Sequence, residues 1–239
     1  KIAVYTPGDK RPWDDAVTLA LTYAEIPFDK VYDDEILEGK LQEYDWLHLH
    51  HEDFTGQYGK FYAAYHSMPW YQQQVRTQEA IAKRHGFQKV WQLKHAVAET
   101  IYQYVAEGGF LFAMCAACDT IDIGLAAKGV DVVSKEYDGD AAVPNPESHL
   151  DYSRTFAFTG FKLVRNPLQY EFSDIDTSDY SKLRGAVADF FTLFDFSAKY
   201  DPVPTMLTQN HVNVINGFLG QTTGFQKRLV KDNVIILAE

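Results

Sequence analysis

Residues 108–120 read GGFLFAMCAACDT: a glycine pair, an apolar run from Phe110 to Met114, Cys115 and Cys118 at C-x-x-C spacing, then Asp119 and Thr120. Upstream, Val90, Leu93, Val97, Ile101 and Val105 recur at three- and four-residue steps, so the glycines close an amphipathic helix. The apolar run has the length of a buried strand. Asp119 and Thr120 are cap residues, and a helix is expected within 120–128. A helix, a strand, a cysteine and another helix therefore follow in immediate succession.

The same alternation extends outward. KIAVYT at 1–6 reads as a first strand, and Pro12, Asp14 and Asp15 set up a helix start in which Trp13, Val17, Ala20, Leu21 and Ala24 share an apolar face. Residues 28–34 (FDKVYDD), 45–50 (DWLHLH) and 130–134 (VDVVS) read as further strands, and two helices broken near Gly86 fill the space before residue 108. Strands alternating with helices give an α/β fold with a doubly wound, mostly parallel, flavodoxin-like sheet. An aromatic-rich insertion is expected at about 52–76 and a β-rich appendage with β-hairpins at about 136–230, all within one domain spanning 1–239. NVIILAE at 233–239 reads as a last strand. A chain that opens on a strand without Met and closes on another is expected to be incomplete at both ends.

Of 239 residues, 46% are hydrophobic and 15% aromatic, enough for a substantial core. The formal charge of −11 repels phosphate backbones and anionic lipid, so nucleic acid is not an expected partner. No apolar run approaches the roughly 20 residues that span a bilayer. A soluble chain is expected, with cytoplasmic and exported locations both open.

Cys115 falls at the carboxyl end of a strand, where ligands bind in open α/β sheets. A nucleophile on a sharp strand-to-helix turn needs small neighbours two residues away on each side, here Ala113 and Ala117. The following helix would direct N–H groups at the thiolate, with Ala116 as an oxyanion donor. Two other readings stand beside this one: a buried small side chain, and a redox pair with Cys118.

The strand, the cysteine turn and the alternating pattern resemble the class I glutamine amidotransferase-like fold and its trehalose-utilisation-type relatives. Residues 2–27, 43–62, 108–119, 191–207 and 217–225 are similar to proteins commonly labelled asparagine synthetase B. That resemblance implies a cysteine-dependent hydrolase or amidotransferase acting on a small polar amide. A glutamine-dependent asparagine synthetase uses an N-terminal cysteine and an S-G-G-x-D-S loop; this chain starts at Lys1 and has no such loop, so ATP-dependent asparagine synthesis is not implied. Amidotransferases place the triad histidine in an H-x-E segment, and neither His149 nor His211 sits in one.

The segment HLHHED puts His48 and His50 on one side of a strand, followed by His51, Glu52 and Asp53. His48, His50 and Glu52 are candidate ligands for a divalent metal, which makes a metal-dependent hydrolase a rival function. In the cysteine reading no cofactor is expected, and His50, His51, Glu52, Cys118 and Asp119 line the pocket. A third possibility is a binding or assembly protein that kept the fold without the chemistry. The expected partner is a small polar substrate, with a protein partner or homo-oligomer open. The aromatic set from Phe54 to Tyr71 could stack on a sugar or aromatic ligand, and residues 138–147 (DGDAAVPNPE) read as a solvated acidic turn.

Overall fold

The computed structural model describes residues 1–7, 16–176, 190–192, 214–216 and 224–237. Four parallel strands, β1 (Ile2–Tyr5), β2 (Asp29–Val31), β3 (Trp46–Leu49) and β4 (Phe110–Ala113), form a sheet in the order β2-β1-β3-β4. Ala3 pairs with Leu47, and Leu47 with Leu111. This register puts Ala3, Tyr5, Leu47 and Leu49 on one fully buried face. Because side chains alternate, Trp46, Phe110 and Phe112 lie on the other face, where Phe110 and Phe112 are exposed.

The buried face is covered by α5 (Val90–Ala106), whose Val90, Leu93, Val97 and Ile101 all enter the core. Around it pack α2 (Asp33–Leu37), α4 (Pro69–Arg84) and α6 (Ala117–Ala126). Proline at the first turn starts α4, and Gly86 at φ +81° allows the chain to turn out of it. The remaining helices, α1 (Ala16–Tyr23), α3 (Tyr62–Tyr65) and α7 (Lys135–Asp138), are short. A second apolar cluster covers the far side of α6, joining Ile123 and Ala126 to Phe158, Phe161, Phe172, Ile175 and Leu229. Asp122 fixes that layer by accepting the N–H groups of Phe156, Ala157 and Phe158 at 2.6–2.8 Å. Further on, β5 (Phe190–Thr192) and β6 (Val214–Asn216) pair antiparallel.

The α/β class and the first four strands agree with the sequence reading. Four expectations are corrected. Residues 130–134 do not form a strand: the Val133 N–H goes to the Asp131 carboxylate (2.9 Å) and the Val130 N–H to Ala127 O (2.8 Å), so local bonds replace a ladder while Val132 and Val133 still bury. Residues 234–237 form no strand either, and Ile235 and Leu237 are exposed. Helix α1 buries Val17 and part of Leu21, but Ala20 and Ala24 face outward. The expected helix start at Pro12, Asp14 and Asp15, together with Trp13, lies outside the described residues. The helix expected within 120–128 begins earlier, at Ala117. No helix among the described residues is long and apolar enough to cross a membrane.

Candidate functional site

Parallel pairing brings the carboxyl ends of all four strands to one edge of the sheet, and the chain order reverses between β1 and β3. In open α/β sheets that reversal point opens the ligand crevice. Tyr5, Thr6 and Pro7 reach it from β1, His51, Glu52 and Asp53 from β3, and all six line a cavity of about 410 Å³. The end of β4 carries Cys115.

Cys115 sits at φ +51°, left-handed backbone that non-glycine residues rarely adopt. The Met114 N–H extends the sheet ladder to Leu49 O (3.0 Å), and the Ala117 and Cys118 N–H groups then fold back to Met114 O and Cys115 O, both at 3.1 Å. The turn is held by bonds on both sides of the left-handed residue. Both cysteines are free thiols, partly buried. Cys118 donates its S–H to Ala113 O (3.3 Å), and burial pushes its thiol up to about 12.

The Cys115 thiol is also raised, by burial first; the Ala116 N–H opposes the shift, and the charges of Asp119, Asp176 and Glu52 add to it. Asp119 is itself almost fully buried in the first turn of α6. Its carboxyl is held well above the ordinary range by burial and by Asp176, even though the Asp119 and Thr120 N–H groups point at it. Tyr170 closes the group: burial, then Cys115, Asp176 and Asp119, push its hydroxyl up to about 12. Carboxyl groups therefore outnumber cations around the sulfur. A thiolate here would gain stabilisation from the helix start and lose it to its neighbours.

The histidine segment divides. His48 is buried against the sheet face, its ring 5.1 Å from Phe112 and 6.3 Å from Trp46. His50 and His51 stand beyond the strand, their Nδ1 atoms 3.1 Å apart, and Glu52 turns back to accept the His50 N–H at 2.6 Å. The expected metal set of His48, His50 and Glu52 does not converge. Among the described residues the only acidic or histidine trio whose ligand atoms lie within 4.8 Å of one another is Asp131, Asp138 and Asp140, and Lys89 bridges the last two. The spacing argument failed because β3 ends at Leu49, so the period-two alternation that aligned His48 with His50 stops between them. His149 is exposed in a short 3₁₀ turn, and His211 lies outside the described residues.

Sequence reasoning missed a buried polar network beside the cavity. Lys94 on α5 donates to Asp33 at 2.8 and 3.0 Å and to the Tyr5 hydroxyl at 3.0 Å, and Tyr5 donates in turn to Asp33. Burial pulls the Lys94 ammonium down, but Asp33 outweighs it and the net shift is upward. Its position was legible in principle: Lys94 stands at i+4 from Val90 and i−3 from Val97, inside the apolar stripe. Lys60 was missed for a different reason. Its Nζ is turned inward to Val164 O (2.7 Å) and Asn166 O (3.2 Å), and burial lowers it to about 8. Its partners lie over 100 positions away, beyond any local pattern.

Comparison of the chain with protein-family models, with curated proteins and with solved structures finds no match.

Proposed function

We propose that the chain is a flavodoxin-like, class I amidotransferase-like α/β protein with hairpin additions, and that it hydrolyses or transfers a small polar amide through Cys115. The observation that carries this reading is the left-handed backbone at Cys115 between β4 and α6, with Ala113 and Ala117 keeping the turn clear of side chains. Strained non-glycine residues concentrate where a side chain must be presented to a ligand.

In this reading the thiol is protonated at rest. Its proton passes to one of the carboxylates whose charge reaches the sulfur, Asp176 or Glu52, because the buried Asp119 carboxyl already holds its own proton. Sulfur attacks the carbonyl carbon, an S–C bond forms, and the tetrahedral oxygen develops charge beside the N-terminal N–H groups of α6, Ala116 among them. The C–N bond then breaks, the amine leaves with the proton, and water or an acceptor amine cleaves the thioester to restore the thiol.

A second reading, binding without chemistry, is favoured by the burial that raises the thiol, with neighbouring acids adding to it. One experiment separates the two: the pH dependence of alkylation at Cys115 and Cys118 in folded, reduced protein, resolved by peptide mass spectrometry. Catalysis by Cys115 requires that it react clearly faster than Cys118 at pH 8, since the Cys118 thiol is pushed up to about 12. A Cys115 that stays inert until the protein unfolds overturns the enzymatic reading and leaves binding. The metal-dependent alternative lacks a converged ligand set in this geometry, and metal analysis of unsupplemented protein tests it.

A further inference from the structure

A hairpin shares the apolar surroundings of Cys115 and reaches from there to the aromatic insertion. Residues 162–174 fold back on themselves: the Lys162 N–H goes to the Asp174 carboxylate (2.7 Å), the Asp174 N–H to Lys162 O (3.0 Å) and the Val164 N–H to Phe172 O (2.8 Å), with Leu163 bridged to Ser173. Phe172 is buried in the cluster on the far side of α6, and Leu163 and Cys115 both pack against that cluster. The paired base of the hairpin and the thiol therefore belong to one apolar layer.

The tip is held differently. Its own backbone is closed by Asn166, whose side-chain carbonyl accepts the Leu168 N–H (3.0 Å) and whose main-chain carbonyl accepts the Gln169 N–H (3.1 Å). Leu168 and Tyr170 are exposed. Two adjacent residues of the insertion grip this exposed turn. Lys60 is buried, donates from Nζ to Val164 O (2.7 Å) and Asn166 O (3.2 Å), and lies 5.9 Å from the Phe172 ring. Phe61 meets the ring of Tyr170 at 6.3 Å. Left-handed backbone at Tyr58, Gly59 and Lys60 (φ +51°, +72° and +60°) makes the turn that presents both side chains to the tip, a conformation that surrounding contacts must maintain at the two non-glycine positions. Ser134 adds its hydroxyl to Arg165 O. After burial, Cys115 is the first group to raise the Tyr170 hydroxyl, so the tip and the thiol also sense each other electrostatically.

We infer that hairpin 162–174 is a lid over Cys115, hinged at its paired base and latched at its tip by Lys60 and Phe61. An exposed turn fastened by side chains from distant segments opens at lower free energy than the core it adjoins. Movable covers of this kind admit a substrate and then exclude water from the reacting group. The inference rests on the proposed role of Cys115 and gives that site its gate.

The test uses the whole chain, with iodoacetamide alkylation and amide hydrogen exchange both resolved by peptide mass spectrometry. Lys60→Met keeps an unbranched side chain and removes the donors. It should raise the alkylation rate of Cys115 at pH 8 by at least about fivefold, leave that of Cys118 within about twofold, and speed exchange in residues 162–174 while β1 and α5 keep their protection. Tyr170→Ala, on the exposed tip, should raise the Cys115 rate by at least about twofold and keeps the test decisive if Lys60→Met fails to fold, which thermal unfolding reads. Faster hairpin exchange with an unchanged Cys115 overturns the lid, as do unchanged hairpin exchange and equal acceleration of both cysteines. The ratio of variant to wild-type rates reads the lid, whereas the ratio of Cys115 to Cys118 in the wild type reads the chemistry. A fast wild-type Cys115 that neither variant changes sinks only the lid, and a slow one that the variants accelerate sinks only the resting reactivity on which the catalytic reading stands.

Discussion

Two buried polar groups stand at the same edge of the sheet and treat charge in opposite ways. Beneath β1, Lys94 meets Asp33 and Tyr5 in a closed network in which donors and acceptors match. Beyond β4, Cys115 and Asp119 lie among Asp176 and Glu52, and like charges accumulate. The first arrangement costs little once formed and a great deal to break, because removing one partner strands the other in a dry interior. The second holds the Asp119 carboxyl protonated against its ordinary tendency. A compensated pair stabilises the scaffold, whereas a raised acid beside a left-handed cysteine is the kind of arrangement the proposed function draws on.

The largest test of this contrast is Lys94→Met, which leaves Asp33 buried without a cation and should lower stability by about 3–5 kcal/mol in urea unfolding. Adding Asp33→Asn should restore most of that loss; if it does not, the network is more than a compensated pair. Next comes His95, the neighbour of Lys94, which is buried with neither ring nitrogen hydrogen-bonded and is pushed down to about 3 by burial. Its folded value lies below the unfolded value near 6.5, so the unfolded chain binds the extra proton between them. Stability should therefore fall as pH drops from about 6.5 towards 3, by up to about 1.4 kcal/mol per pH unit from this group. His95→Leu should flatten that slope, whereas the raised Asp119 carboxyl acts with the opposite sign over its own window. Stability curves measured at several pH values check both.

Smaller effects probe the join between the two regions. Thr120 on α6 donates its hydroxyl to Glu52 O at 2.6 Å and so ties the cysteine corner to the end of β3. Thr120→Val keeps the shape, removes the hydrogen bond to the Glu52 carbonyl, and should cost about 1–2 kcal/mol in chemical denaturation. Smallest in energy is Asp119→Asn, which replaces a buried carboxyl held in its neutral form by a neutral amide. Alkylation of Cys115 near pH 8 should then change by less than about twofold, with stability changed by less than about 1 kcal/mol. A clear acceleration would mean that Asp119 is charged beside the sulfur and would overturn its protonated state.

The cysteine corner was more legible in the sequence than the network beneath β1. Apolar run, cysteine, alanines and cap residues are adjacent in the chain, and local sterics place them at a strand-to-helix turn. Lys94 carried only its position in the stripe of α5, and nothing local connected it to Asp33, 61 residues earlier. The pairing of His48 with His50 misled because periodicity holds only while the strand continues. Residues 130–134 misled in a related way: three valines favour a strand, but a strand also needs a neighbour's backbone, and Asp131 offered its carboxylate first. Much of the β-rich appendage expected at about 136–230 lies outside the described residues, and within it β5 and β6 pair antiparallel.

The sequence by itself determined the alternation of strand and helix, the burial of α5 and the position of Cys115 at a strand end, because each follows from periodicity and backbone sterics within a few residues. Only the tertiary structure decided which charges meet. Whether a carboxylate faces Lys94 or another carboxylate depends on how parallel strands bring distant segments to one edge, and that arrangement decides which charges reach Cys115.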